Sequence, residues 1–436
     1  NSIRVDDPTP QVRAWARENL VFANPQYKKA LALGKWTGNI EKEIWLYAED
    51  GGSLVLPFGV LQGLWRSIPK GGFEYETHFS PFQALSMTGN IKLYGYQENA
   101  LKRLLEGKNG VLEAPCGSGK TQIGLALIKA VGGKALWLTH TRKLLLQSKE
   151  RCQRYFSGDF GEITEGRARI GKDITFATVQ TMSGLDPAMY RDAFSCVVVD
   201  ECHHCVGTPT QVREFYKIVS NCNCRRKYGM SATLTRSDGL MPALFALIGP
   251  KLHTIREEEL KGKTIKARHV RVSLAYPYET EDYSGPDGML DYAKMIGSIC
   301  GNGQRNEAIA ERVESLRGTR KKQLVLTARV SHAEALASMI PGSSLLVGRV
   351  PEGKRDYSAP ILVATYALAK EGLDIPELDA LHLATPSKDP VTVKQSVGRI
   401  ERNVPGKQEP IVFDYVDEAI PYCVRAFSKR KNILRK

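Results

Sequence analysis

No apolar stretch of this 436-residue chain approaches the ~20 residues that a membrane-spanning helix needs. The opening "NSIRVDDPTP" has no apolar core of the kind that drives secretion. Together these lacks argue for a soluble protein of a cytosol-like compartment. Cysteine is thin too: nine thiols scattered over the whole length do not form the dense framework of a small disulfide-stapled domain, so they are expected to be reduced. No internal repeat or low-complexity tract interrupts the chain. Acidic side chains are in deficit, 47 against 61 Lys and Arg, a net charge of +14 that favours a polyanionic partner. The first 90 residues are balanced, and the surplus lies in the last two thirds and in the tail "RAFSKRKNILRK". A merely solvated end would explain that tail equally well.

The length is too great for one ordinary core and suggests two or three domains. From Leu93 onward, short Val/Ile/Leu/Ala runs ("GVLEA", "KALWLTH", "DITFAT", "FSCVVVD", then "QLVLTA", "SLLVG", "PILVAT", "ALHLAT", "PIVFDY") alternate with amphipathic stretches such as 121–131, 142–156, 210–220 and 331–340. Buried parallel strands covered by helices read this way, so the expected fold class is α/β, with two parallel-sheet lobes. A charged "REEELKGKTIK" region separates the two sets. The expected division is an accessory domain over 1–90, a first lobe over 91–252 and a second over 253–436. Four of the five tryptophans (Trp15, Trp36, Trp45, Trp65) fall in the accessory segment, where core packing is the more common role and base stacking the rarer one.

"LEAPCGSGKTQIGLAL" places a glycine-rich turn between an apolar strand and a helix. Gly117 and Gly119 let backbone N–H groups curl around phosphate oxygens, with Ser118 between them; Lys120 reaches the terminal phosphates and Thr121 can ligate magnesium. Ala114 stands where the general pattern has its first glycine. "VVVDECHHCVG", about 80 residues beyond Lys120, supplies the complementary acids: Asp200 to hold the metal and Glu201 to orient and deprotonate an attacking water. The same letters admit a rival, a zinc site drawn from Cys202, Cys205, Cys222 and Cys224 with His203 and His204. The C-x-C spacing of 222 and 224 is uncommon for structural zinc, and that site would tie up the neighbour of the base.

With these motifs in register, the chain resembles the superfamily 2 helicases and translocases. "YGYQENAL" is similar to the adenine-reading segment, which implies a base contact for Gln97; Tyr94 stands where many relatives carry Arg. "LTHTRKLLLQ" and "ATVQTM" imply that Thr141, Arg142, Thr178 and Gln180 lie along a nucleic-acid backbone. "MSATLTR" resembles the element through which Ser231 and Thr233, with His203, couple hydrolysis to strand movement. In the second lobe the resemblance gives Thr327 and Arg329 ("LVLTAR") and Thr365 ("ATYALAKEGLDIP") to the nucleic acid, and Gly372 and Asp374 to the nucleotide. It gives Gln395, Arg399 and Arg402 ("QSVGRIERN") to catalysis, the arginines neutralising charge on the transferred phosphoryl group.

The resemblance covers residues 93–431 and implies ATP and Mg2+ as cofactors, two RecA-like lobes, and movement on nucleic acid gripped by its backbone. The "DECH" box, "QSVGRIER" and the terminal "DYVDEAIPYCVRAFSKRK" are most similar to the xeroderma pigmentosum type B group of repair helicases and its bacterial and phage relatives. This points to DNA ahead of RNA, to work in repair, recombination or fork processing, and to the cytoplasm of a bacterial or phage-infected cell. RNA helicases sharing the box remain the alternative, as does a nucleotide-switched clamp or a motor subunit of a larger complex. Protein partners would use residues 1–90.

Overall fold

The computed structural model describes residues 2–67, 79–206, 208–234, 239–260, 262, 264–278, 283–285, 290–370, 375–387 and 390–435. They divide into two compact units, 1–259 and 260–436.

In the first unit the apolar runs become five parallel strands, β1 (Gly110–Glu113), β2 (Ala135–Thr139), β3 (Ile174–Thr178), β4 (Cys196–Asp200) and β5 (Arg226–Ser231). Their order across the sheet is β3-β2-β4-β5-β1. The sheet is extended beyond β3 by Phe160–Thr164 and the antiparallel edge Arg167–Arg169, and beyond β1 by Lys251–Thr254. Every residue of β2, β3 and β4 is buried, which is why these strands read as unbroken apolar runs rather than alternating ones. Helices α1 (Gly95–Gly107), α2 (Lys120–Val131), α3 (Arg142–Tyr155), α4 (Val179–Ser183) and α5 (Pro209–Asn221) connect or flank them. The three helices expected here from the sequence pattern lie within two residues of their predicted ends. Their starts are chemically marked: Thr141 Oγ1 accepts from Leu144 N at 3.3 Å, and Thr208 Oγ1 from Gln211 N at 3.2 Å ahead of Pro209.

Lys251–Thr254 pairs with β1, so an interdomain boundary at 252 would cut a strand. The break instead falls between Glu259 and Leu260, inside the charged stretch. The N-terminal residues form their own antiparallel sheet of Ser2–Val5, Ser53–Pro57 and Ala48–Asp50. Yet Val12, Leu20, Ile44, Leu54 and Leu64 belong to one apolar cluster with Val197, Phe215 and Leu247 of the first lobe. A segment this short buries too little surface alone, and it completes its core on its neighbour. Trp36 is 75% exposed, and Trp45 and Trp65 are exposed as well; only Trp15 packs against the cluster.

The second unit holds an all-parallel six-stranded sheet: Arg268–Leu274, β9 (Ile411–Asp417), β8 (Ala380–Leu383), β6 (Gln323–Thr327), β7 (Ile361–Thr365) and Ser344–Leu346, in that order. Along β6, Leu324 and Leu326 enter one apolar cluster and Val325 the other, the period-two alternation of a strand covered on both faces. The covering helices include α6 (Gly303–Ser315), α7 (Val330–Met339), α8 (Pro390–Ile400) and α9 (Pro421–Arg435). The basic tail is more than a solvated end. Arg430 of α9 is buried and makes two hydrogen bonds to Asp414 of β9, at 2.7 and 2.6 Å. Among the described residues no helix is long and apolar enough to cross a membrane.

Candidate nucleotide site and nucleic-acid cleft

Apart from Gln97, which lies on α1 ahead of β1, the first unit's candidate residues lie at or just after the C-terminal ends of β1 to β5, the edge of a parallel sheet where ligands ordinarily bind. The loop after β1 turns through Gly117 (φ +83°) and Gly119 (φ +80°), left-handed conformations that favour glycine, and α2 begins at Lys120. Ala114 adopts no positive φ; its N–H donates to Ser231 O at 2.8 Å, so the position needs no glycine. Lys120 Nζ is held between Ala114 O and Glu201 Oε1, both at 3.3 Å. Ser118 Oγ and Gln122 Oε1 are buried without a hydrogen-bond partner. A loop of turned backbone with orphaned polar atoms and a poised lysine fits a nucleotide triphosphate.

Gln97 is buried and braces this loop: its Nε2 donates to Ser118 O at 2.8 Å while its Oε1 accepts from Tyr94 N at 3.0 Å. The sequence reading gave Gln97 to the base. Here both ends of its amide are occupied by the fold, and the exposed Tyr94 stacks on Tyr96 with ring centroids 6.0 Å apart.

β4 carries Asp200 to its last residue, and Glu201 follows in a left-handed conformation, φ +47°, uncommon for a residue with a side chain. Such strain at a functional position persists only when its surroundings fix it. Burial, followed by the Glu201 charge, raises the Asp200 carboxyl above the usual range. Burial acts the same way on Glu201, but Lys120 and the imidazoles of His203 and His204 outweigh it and hold Glu201 low. The two acids are thus pushed apart, leaving Glu201 ionised beside the lysine. Asp200, with the hydroxyl of Thr121, offers the hard oxygen ligands that magnesium takes. Arg151 of α3, which sequence reasoning missed, donates to Thr121 Oγ1 at 3.3 Å.

His203 Nδ1 lies 2.8 Å from Ser231 Oγ and 3.5 Å from Glu201 Oε2. The Ser231 hydroxyl spends its one proton on Thr233 O at 2.7 Å, so the imidazole is the donor to Ser231. Thr233 N donates back to Ser231 Oγ at 3.2 Å. The coupling residues expected from the sequence therefore meet in one network. Cys202 and Cys205 belong to the apolar core, with the Cys202 thiol packed under Gly229 of β5.

Thr141, Arg142, Thr178 and Gln180 line a single cleft of about 400 Å³ together with His140 and His204. Thr141 and Thr178 each cap a helix by their hydroxyls, which fixes the Arg142 and Gln180 that follow at the cleft. His140 was not anticipated; it lies within "LTHTRK", but only the fold brings it to His204.

Residues 90–236 match the protein family described as "Type III restriction enzyme, res subunit". A protein of Acanthamoeba polyphaga mimivirus, provisionally named an ATP-dependent RNA helicase, is 25% identical over 90% of this chain and 76% of its own length. The "DNA 3'-5' translocase XPB2" of Sulfurisphaera tokodaii is 32% identical over 45% of this chain, which spans 43% of that protein. The similarity is thus to helicases and translocases. The chain's two-lobed α/β architecture also matches the solved S. cerevisiae Dbp5 bound to RNA and ADP BeF3, with a TM-score of 0.57, 16% identity, and coverage of 79% of this chain and 88% of that one. The sheets described above are accordingly RecA-like lobes.

In the second lobe, Gln395 and Arg399 sit one helical turn apart on α8, with Arg402 just beyond its end. Gln395 is buried with its Oε1 unpartnered, and Arg399 and Arg402 are half-buried. Thr365 caps the helix after β7, its Oγ1 accepting from Leu368 N at 3.4 Å. Thr327 is fully buried and lies 2.6 Å from His332 Nδ1, so its hydroxyl is committed inside the lobe rather than offered to a strand. Arg329 occupies the N-cap position of α7 without a side-chain capping bond, and its guanidinium donates to Ala293 O at 2.6 Å. Gly372 and Asp374 lie outside the described residues.

Proposed function

We propose that the chain is an ATP-driven DNA translocase or helicase. The observation that carries this reading is the convergence, on one sheet edge, of Lys120, Asp200 and Glu201 with a cleft lined by Thr141, Arg142, Thr178 and Gln180. Magnesium-ATP would supply the bridging cation and the transferable phosphoryl group. Lys120 and the loop around Ser118 bind phosphate, Asp200 and Thr121 hold the metal, and Glu201 takes the proton from water. Arg399, Arg402 and Gln395 are assigned to the hydrolytic step, and Arg329 and Thr365 to the strand. His203, Ser231 and Thr233 link hydrolysis to movement.

DNA is preferred because the XPB2 relative is named for it, and repair or fork processing is the setting this suggests. The mimivirus relative, named for RNA, supports an RNA helicase as the second reading. Steady-state ATPase measured alone and with single-stranded DNA, duplex, forked DNA and RNA separates the two. The expected result is strongest stimulation by a DNA and loss of stimulated turnover in Lys120→Ala. Stimulation greatest with RNA overturns the DNA assignment, and unaltered turnover in Lys120→Ala overturns the site.

A further inference from the structure

Between the cleft and the hydrolytic carboxylate the structure places three histidine rings in file. His140, directly after β2, lies with its ring centroid 3.9 Å from that of His204 at an interplanar angle of 29°. His204 in turn lies 4.0 Å from His203. His203 reaches Glu201 at 3.5 Å and Ser231 at 2.8 Å. The first two rings line the cleft with Thr141 and Arg142; the third touches the carboxylate.

We propose that His140 and His204 are positioning residues for hydrolysis: with His203 they form an imidazole stack through which occupancy of the nucleic-acid cleft sets the orientation of Glu201. The inference rests on the function proposed above and names how one of its two sites acts on the other.

Four features make the stack more than packing. His140 is the immediate neighbour of Thr141, whose hydroxyl caps α3, so a strand drawing on Thr141 and Arg142 moves the His140 backbone directly. Its Nδ1 is buried without a hydrogen-bond partner, and its ring packs face to face on His204. At the far end Glu201 occupies a left-handed backbone conformation that its surroundings must maintain. His140 is also neutral at ordinary pH, since burial and the facing His204 depress it to about 3, so it adds no charge of its own to the stack. Two ends that each have a reason to move, joined by rings in van der Waals contact, are what coupling between neighbouring sites requires.

The test uses the full chain carrying His140→Ala, His140→Phe or His204→Ala, with folding checked by the thermal midpoint. ATP turnover is measured with and without saturating single-stranded DNA, together with KM for ATP and the DNA Kd. Substitutions along a coupling path typically change coupling by a factor of about 3 to 30. His140→Ala and His204→Ala are expected to lower the ratio of stimulated to basal turnover by that much, with KM for ATP unchanged. His140→Phe, which keeps a flat ring at the same place, should restore most of the ratio. The double alanine variant should be no worse than either single one, because the rings act in series.

An unchanged ratio in the alanine variants, or a phenylalanine variant as defective as alanine, overturns the stack while leaving the translocase reading intact. If His140→Ala fails to fold, the part-exposed His204→Ala and the ring-keeping His140→Phe decide the question alone. A wild-type chain whose hydrolysis no nucleic acid stimulates overturns the function reading, and the coupling with it.

Discussion

Lys120 Nζ lies 3.3 Å from Glu201 Oε1, joining the loop after β1 to the turn after β4 across the intervening strand β5. In the proposed role the lysine would be shared between the carboxylate and a nucleotide phosphate, and it helps to keep the carboxylate ionised. Glu201→Gln keeps the shape and removes the base. It is expected to lower stimulated ATP turnover by about 10²- to 10⁴-fold while nucleotide still binds. Single-turnover hydrolysis beside a fluorescent-nucleotide titration separates the two effects.

Gly119 makes the phosphate loop sensitive to a single methyl group. Its φ of +80° is strained for any L side chain, and a Cβ there would stand 2.3 Å from Gln97 Nε2 and 2.9 Å from Gln122 Oε1. Gly119→Ala therefore costs about 1–2 kcal/mol in backbone strain, and displacing Gln97 loses the hydrogen bond that braces Ser118 O, about 1 kcal/mol more. Nucleotide affinity should fall by roughly tenfold or more. Ala114→Gly, at a position with no positive φ, should change it little. Removing the clash with a second substitution, Gln97→Ala, should recover only part of the loss, because the strain remains.

The strand-and-helix rhythm and the phosphate loop were legible in the sequence because each is written in consecutive residues: a valine run ending in Asp200, or glycines ahead of Lys120. What could not be read were contacts made by residues far apart. Nothing local marks Arg151, on the third turn of α3, as a partner of Thr121. The embedding of the N-terminal core in the first lobe was hidden in the same way, since Leu20 and Val197 join one apolar cluster only in three dimensions. Composition left the tail open between a solvated end and a polyanion-binding one, and did not show that Arg430 is one cation of it that the fold takes inside.

Arg305 and Asp417 in the second lobe form a fully buried pair, Nε to Oδ1 at 2.7 Å and Nη2 to Oδ2 at 3.2 Å, with the Tyr278 hydroxyl also donating to Asp417. Breaking one side strands a charge in the core. Asp417→Asn or Arg305→Met is expected to destabilise the 260–436 unit by about 3–5 kcal/mol. All five tryptophans lie before residue 260, so the readout is hydrogen exchange in peptides from β6 and β8, not tryptophan fluorescence.

His332 and His382 are buried in the same unit, and burial depresses both to about 3, with Arg305 and Arg312 respectively adding to the effect. Unfolded, each returns to its ordinary value near ~6.5. Between those values the unfolded chain binds protons that the folded chain excludes, so stability rises with pH and is lost as pH falls below about 6.5. With two such groups the slope approaches about 2.7 kcal/mol per pH unit at its steepest. Hydrogen exchange of the unit at several pH values between 7 and 5 should follow that slope once corrected for intrinsic exchange rates. His382→Gln should remove about half of it.

Arg142 and Gln180 line the same cleft but differ in kind: one is an exposed cation, the other a neutral amide. A cation on a phosphate releases a counterion when the complex forms, so Arg142→Ala should weaken DNA binding alike across sequences. It should also flatten the dependence of log affinity on log salt by about one unit, whereas Gln180→Ala should weaken binding with the slope unchanged. Titrations of both variants by anisotropy at several salt concentrations, on two unrelated DNA sequences, give both quantities. A salt slope unchanged in Arg142→Ala would remove this arginine from the phosphate backbone. Sequence-dependent losses in either variant would mean that the cleft reads bases, which neither side chain would do in a motor that must step past every sequence it meets.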